Sequence, residues 1–196
     1  MAIRRLSTAS IKTGSKSNKV WDQDTQQGAM VPIANGLITS APTTISNIPQ
    51  TYQDLQLVVQ VANSSSNFLS YIYFGSNNGL HNGTVMYGIG GGGVAASSRY
   101  TNDNSVLADY PATLGMISST SIFSSHKHDI LNYANTTMHK TILSHVASDQ
   151  NGSGYVSIGA HALRNTAAIS AVFISFGGGG FSGGSNWTLY GIKAGA

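Results

Sequence analysis

Two histidines, His126 and His128, lie one residue apart, and imidazole nitrogens are common ligands of zinc and copper ions. Residues two apart on a β-strand point to the same face, so both side chains could reach one metal ion. In a trimer, three copies of the pair could surround that ion near the axis. The other histidines offer no further ligand spacing: His81, His139, His145 and His161. Because histidine pairs on strands are usually solvated or hydrogen-bonded, we predict no metal site and keep His126 and His128 only as its candidates.

Carboxylates are scarce, because the chain has seven Asp residues and no Glu. Hydrolytic mechanisms need a carboxylate pair, or a nucleophile with a base and an orienting acid. Asp129 directly follows His128, but neighbouring strand residues point to opposite faces. The absence of Cys excludes a disulfide framework, a thiolate metal site and a cysteine nucleophile. The sequence therefore favours a protein that is not an enzyme.

Three glycines, Gly88, Gly90 and Gly93, match the G-x-G-x-x-G spacing of dinucleotide-binding loops. Such a loop opens a helix whose N-terminus receives the pyrophosphate of the cofactor. Residues 94–105 that follow the glycines, VAASSRYTNDNS, have no amphipathic helical pattern. We therefore predict no cofactor.

The elements that must position these residues are short strands. Leu55, Leu57 and Val59 alternate with more polar residues, which indicates one buried strand face. Strands are predicted at 55–61, 68–74, 84–89, 117–123, 128–134, 140–147, 155–160, 167–176 and 187–193. Turn chemistry separates them, and the Ser/Asn-rich stretch 97–105 is predicted as a turn region. The pattern predicts an all-β fold, an antiparallel β-sandwich of the jelly-roll type.

Two glycine runs, 90–93 and 177–180, each follow a predicted strand and are expected to form flexible loop tips. Tyr100 and Tyr110, in the predicted loop region, could stack on sugars or line a subunit interface. The residues considered for loop contacts are Gly90, Gly93, Tyr100, Tyr110, Gly177 and Gly180. The alternative is a plain surface role, since glycine alone specifies no ligand.

The first nineteen residues contain five of the ten basic residues of the chain and no acid. We predict an extended basic arm at residues 1–30 and a single β-sandwich domain at 31–196. An isolated arm of this polar composition is expected to be mobile until it docks onto another protein. The residues expected to dock it are Arg4, Arg5, Lys12, Lys16, Lys19 and Trp21.

The arm also accounts for the basic character of the chain. The net charge is +3, but without the five basic residues of the arm the remainder has five basic and seven acidic residues, a net charge of −2. Overall basicity therefore does not indicate a nucleic-acid partner. No segment has the 18 or more apolar residues of a membrane span, and polar residues follow Arg4 and Arg5 where an export signal needs an apolar run. We expect synthesis in the cytoplasm and no membrane partner.

Three segments resemble small virion structural proteins of tailed bacteriophages, especially those that infect cyanobacteria. The opening MAIRRLSTASIKTGSKSNKVWDQDT resembles a short basic arm that ends in a K-x-W-D step before a β module. The segment ISNIPQTYQDLQLVVQV (45–61) is similar to a recurrent piece of phage appendage and decoration modules, and SNWTLYGIKAGA (185–196) is similar to their last strand. Together the three segments cover somewhat under a third of the chain.

The resemblance implies a non-enzymatic, homotrimeric subunit of the virion, assembled in the host cytoplasm. The short arm and the lack of a fibrous shaft favour a capsid decoration or cement protein whose arm docks into acidic grooves of the major capsid protein or other virion subunits. One alternative is a tail-fibre or tail-appendage protein that binds a glycan of the host surface. Another is an internal particle protein whose arm contacts packaged DNA, for which we expect strongly salt-dependent binding.

Overall fold

The computed structural model describes residues 30–39, 42–62, 70–74, 80–90, 94–103, 106–107, 123–149, 154–176 and 183–193. The secondary structure of these residues is β, with no helix among them. The all-β prediction is confirmed, as expected for a chain without Glu and with few Lys. The strands are β1 (Met30–Leu37), β2 (Thr43–Ile45), β3 (Asp54–Val61), β4 (Ser70–Phe74), β5 (His81–Gly90), β6 (Val94–Asp103), β7 (Val106–Leu107), β8 (Ser124–Leu131), β9 (Lys140–Asp149), β10 (Gly154–Leu163), β11 (Val172–Phe176) and β12 (Asn186–Ile192).

Eight strands form one antiparallel sheet in the order β1-β12-β3-β8-β9-β10-β5-β6. In β9 the buried side chains alternate strictly with exposed ones from Lys140 to Asp149. This period of two places one face of the sheet inside and the other in solvent. The alternation predicted around Leu55, Leu57 and Val59 is confirmed, because all three are buried.

Four strands form a second antiparallel sheet in the order β2-β11-β4-β7. Its buried side chains, among them Ile72, Phe74 and Ile174, belong to the same hydrophobic cluster as Leu55 and Leu57 of the large sheet. Full burial of a large apolar side chain contributes about 1.5–3 kcal/mol, so this shared core stabilises both sheets together.

The first strand, β1, forms one edge of the large sheet and pairs irregularly. Its register with β12 shifts between Pro32 and Ala34, and Pro32 is exposed. Proline has no backbone N–H, so within sheets it is confined to edges and bulges. The position of Pro32 follows this rule.

The predicted turn region at 97–105 is wrong for residues 97–103, which belong to β6. This strand pairs with β5 over most of its length, from Val94 opposite Ile89 to Asp103 opposite His81. Its small and polar residues are weak strand formers, and pairing with β5 outweighs their local preference. Strands β1 and β2 also occur where the sequence pattern predicts none.

Two predicted strands differ most in their limits from the observed ones. The strand predicted at 128–134 begins at Ser124 and ends at Leu131, because Asn132 takes a positive φ of 53° and starts a turn. The strand predicted at 167–176 begins at Val172, and Ile169 is buried outside a strand. The strand predicted at 117–123 lies outside the described residues except for Phe123, which is not in a strand.

A buried lysine fixes the connection between β8 and β9. Lys140 is 0% exposed, and its Nζ donates to the carbonyls of Met138 at 3.0 Å, Thr166 at 2.8 Å and Asn135. Burial lowers the pKa of Lys140, but these three acceptors match the three donors of an ammonium group. The ammonium group of Lys140 therefore has a structural role, because it holds three backbone carbonyls together.

Candidate functional site

The inner face of the large sheet carries several polar side chains within its apolar surroundings. Four of the six histidines of the chain are buried on strands β5, β8 and β10. They are His81, His126, His128 and His161. Buried polar groups are stable only when hydrogen-bonded, so their partners decide whether they are structural or reactive.

The two candidate metal ligands, His126 and His128, share the inner face of β8, as a strand requires. Their ring centroids are 6.3 Å apart. Each imidazole has a serine partner: Ser124 Oγ lies 2.9 Å from Nε2 of His126, and Ser144 Oγ lies 2.8 Å from Nδ1 of His128. These contacts orient the two rings as parts of the buried face.

His161 lies in a slot that two glycines create. A Cβ at Gly83 would lie 2.5 Å from Nδ1 of His161, and one at Gly159 would lie 2.5 Å from its Nε2. Real Cβ atoms do not approach so closely, so only glycine leaves room for the ring. Tyr100 completes the slot, because its hydroxyl lies 2.6 Å from Nδ1 of His161.

Burial keeps the imidazoles of His128 and His161 neutral. Desolvation, assisted by His126, His161 and His145, lowers the pKa of His128 well below its usual value. Desolvation and nearby His81 lower the pKa of His161 to about 4. Among the described residues, the Nε2 atoms of both His128 and His161 are buried without a hydrogen-bond partner. Neutral imidazoles in such surroundings resist protonation.

Metal or acid-base chemistry at these histidines would need further ligands or carboxylates beside them. Within the described part of the chain, no group of three or more His, Cys, Asp or Glu side chains could hold a metal ion. Asp129 points away from His128, and its Oδ1 accepts a hydrogen bond from Gln56 Nε2 at 2.6 Å. The arrangement fits a packed inner face better than a reaction site.

The opposite surface of strands β8, β9, β10, β5 and β6, which we call the outer face, is unusually apolar. Met86 is 68% exposed, Val156 58%, Ile158 57% and Leu143 38%. The ladder pairs Ile158 with Met86, so the apolar side chains adjoin one another across the strands. A shallow groove of about 590 Å³ runs over this surface. Contiguous exposed apolar surface of this kind marks interaction sites.

Charged side chains lie at the two ends of one row across the outer face. Successive ladder partners along this outer row are Asp129, Leu143, Ala160, Thr84 and Arg99. Asp129 Oδ2 lies 3.2 Å from Lys127 Nζ, whereas exposed Arg99 has no ion-pair partner among the described residues. The outer row is therefore acidic at β8, uncharged in the middle and basic at β6.

Two of the residues predicted for contacts lie among the described residues. Gly90 is exposed at the end of β5. Tyr100 is not in a loop, as predicted, but lies in β6, where it is 7% exposed. The other predicted contact residues lie outside the described residues: Arg4, Arg5, Lys12, Lys16, Lys19, Trp21, Gly93, Tyr110, Gly177 and Gly180.

The outer face and the slot around His161 were not found from the sequence. In β10 the alternation predicts the reverse of the observed burial: Val156 and Ile158 form the apolar phase but are exposed, whereas Ser157 is buried. The sequence also gives no signal for the slot, because the slot depends on which strands pair.

Comparison of the chain with protein-family models, with curated proteins and with solved structures found no match. Within the described residues, no helix has the length and hydropathy needed to cross a membrane.

Proposed function

We propose that this chain is a non-enzymatic structural subunit of a bacteriophage particle, a homotrimer that decorates the capsid and is attached by its N-terminal arm. The observation that carries this proposal is the outer face, on which Met86, Val156 and Ile158 are each more than half exposed. In a monomer this apolar surface stays exposed to water, whereas in an assembly a neighbouring subunit covers it.

For the fold, we propose that the two sheets form a jelly-roll sandwich, and the strand order supports this. When β5 with β6, and β9 with β10, are set aside as two inserted hairpins, the sheets reduce to β1-β12-β3-β8 and β2-β11-β4-β7. This order results when a long antiparallel hairpin folds over into two four-stranded sheets, because the first strand then lies beside the last and the second beside the last but one. Jelly rolls of this kind are common in viral capsids and lectins.

The inner face supports a structural function over a catalytic one. His126 and His128 are held by serine hydroxyls, and His161 is held by Tyr100 in a slot lined by glycine. A general base needs a pKa near the working pH and access to substrate. The lowered pKa of about 4 and the 2% exposure of His161 offer neither.

Attachment by the arm is the mechanical part of the proposal. Five basic residues without an acid suit an acidic groove on a neighbouring virion protein, and Trp21 would add an apolar anchor. Binding that bridges neighbouring capsid subunits stabilises the shell by mass action. The low charge of the chain, 9% of residues, suits a subunit whose surfaces contact other copies.

The test is the incorporation of the chain into particles that lack it. A full-length variant in which Gln replaces Arg4, Arg5, Lys12, Lys16 and Lys19 should bind such particles much more weakly but keep the native oligomer mass. Deletion of residues 1–20 should do the same. Normal incorporation of both variants would contradict docking by the arm. A wild-type trimer that binds host cells but not particles would instead favour the glycan-binding alternative.

A further inference from the structure

We propose that the outer face is the surface through which copies of this chain associate, around a symmetry axis that runs parallel to its strands. The inference rests on the proposed homo-oligomeric subunit and adds the contact residues and the direction of the axis. Three properties of the described residues carry it: the apolar centre, the size of the face and the charges at its two sides.

The centre of the face has the composition of an interface core. Met86, Val156 and Ile158 lie on adjacent strands β5 and β10, and Leu143 lies on the next strand, β9. The small residues between them, such as Ala160, let another surface approach closely. Interface cores are depleted of charge and enriched in large apolar side chains such as Met.

The face is also large enough for a stable contact. Five strands spaced about 4.8 Å apart, two of them with ten residues that rise about 3.4 Å each, cover roughly 24 by 34 Å, or about 800 Å². About 800 Å² per partner is the size of a standard specific interface. A second copy that presents the same face would therefore bury enough surface to persist.

The two charged ends of the outer row give the direction of the axis. Asp129 and Arg99 lie four strand spacings apart, about 19 Å, and are at the same height along the strands because they belong to one row of ladder partners. A rotation about an axis parallel to the strands keeps that height and brings the β6 side of one copy to the β8 side of the next. Arg99 would then face Asp129 of its neighbour.

This charge complementarity identifies the occupant as another copy of the chain. Each copy supplies both Asp129 and Arg99, so every contact around the axis is the same. Asp129 already contacts Lys127 and Gln56, but a carboxylate has lone pairs for further donors and the side chain is 20% exposed. Pairs of this kind set orientation and partner choice more than affinity.

The first experiment substitutes the centre of the face. Ile158→Lys should dissociate the wild-type oligomer, with at least a hundredfold higher dissociation constant, because an ammonium group would be buried without a partner. The matched control is Leu37→Lys on β1, which is 66% exposed and away from the face, and it should leave the mass unchanged. Masses are measured by sedimentation equilibrium, and circular dichroism establishes that both variants are folded.

The outcomes separate this inference from the proposed function. If the wild type is a trimer, and Ile158→Lys dissociates it while Leu37→Lys does not, the result supports both the proposed function and this inference. A wild-type trimer that survives Ile158→Lys overturns the outer face as the contact but leaves the trimer intact. A wild-type dimer that Ile158→Lys dissociates supports the face and contradicts the trimer. A wild-type monomer at all concentrations overturns both.

The second experiment exchanges the two charges. Arg99→Asp and Asp129→Arg should each weaken association about tenfold, by placing like charges opposite each other. The chain that carries both substitutions should associate more tightly than either single variant, because each contact again pairs opposite charges. Additive weakening in the double variant would overturn the axis parallel to the strands. Urea unfolding of each variant measures how much stability the chain loses when Asp129 no longer contacts Gln56 and Lys127. This loss is then separated from the change in association.

Discussion

Buried imidazoles lose the hydration that stabilises their charged form, and His128 and His161 illustrate the consequence. Both have their pKa lowered mainly by burial, and the Nε2 atom of each has no hydrogen-bond partner among the described residues. The unfolded chain would protonate the same residues near pH 6.5. The folded state therefore binds fewer protons than the unfolded state at mildly acidic pH, and acid favours unfolding.

Stability should fall as the pH drops from about 6.5 to about 4. The depressed pKa of His161, about 4, corresponds to about 3 kcal/mol of unfolding free energy present above pH 6.5 and lost through this window. In His161→Gln, an amide can still reach Tyr100 but does not titrate, so the loss between pH 7 and 4.5 should be clearly smaller. Urea unfolding at a series of pH values measures it.

The matched control for this prediction is His139→Gln. His139 is exposed in the connection between β8 and β9, so its loss should leave the pH dependence unchanged. Equal pH dependence of the wild type and His161→Gln would contradict the assignment of the proton linkage to His161.

Part of this residue-scale arrangement follows from the sequence and part does not. The H-x-H spacing predicts correctly that His126 and His128 share a strand face. Their burial and the contact of His161 with Tyr100, 61 residues away, depend on the strand register. Register is set by long-range pairing, which one sequence does not reveal.

At the scale of elements, the β5–β6 hairpin and the neighbouring β10 form one unit around the slot. Gly83 of β5 lies opposite both Tyr100 of β6 and His161 of β10. A Cβ there would lie 2.4 Å from a ring carbon of Tyr100 and 2.5 Å from Nδ1 of His161. Two rings that are hydrogen-bonded to each other cannot both move aside easily.

The variant Gly83→Ala should therefore lower the free energy of unfolding by about 2 kcal/mol, a typical cost of overpacking a buried site. Gly183→Ala provides a control in a turn outside the outer face, because its Cβ would have no atom within 4 Å. Urea unfolding of both variants tests the prediction. A Gly83→Ala protein as stable as Gly183→Ala would mean that the slot is not rigid.

The elements differ in how well the sequence predicts them. Strand β3 is predicted nearly to its limits, because its apolar residues alternate with more polar ones. Strand β6 is missed, since Asn, Asp and, less strongly, Ala are depleted in strands and Ser favours turns. Only its pairing with β5 makes it a strand. Lys140 is a further case: it lies in phase with the buried Ile142 and Ser144, a position that a lysine occupies only when its ammonium group is bonded.

At the scale of the whole molecule, the proposed jelly roll and the proposed contact surface use mostly different strands, with β8 in both. The outer face is formed mainly by β9, β10, β5 and β6. These are the four strands of the large sheet that do not belong to the eight strands of the proposed jelly roll. In this proposal the insertions widen one sheet beyond the other and supply the surface for association. The strand order could not be predicted from the sequence, because local patterns do not specify which distant strands are neighbours.

Association of this kind should make thermal stability depend on protein concentration. When unfolding requires dissociation, the midpoint temperature rises with chain concentration. We expect a rise of several degrees over a hundredfold range for the wild type and no rise for Ile158→Lys. Differential scanning calorimetry measures both, and a wild-type midpoint independent of concentration would contradict coupled folding and assembly.

The irregular edge at β1 has a consequence for how the protein behaves at high concentration. A regular, exposed edge strand is a template on which further molecules can add strand by strand into fibres. Pro32 offers no N–H to an incoming strand, and the register shift beside it bends the ladder away from regular pairing. Strand addition through this edge is therefore disfavoured, so crowding should not produce filaments that grow from β1.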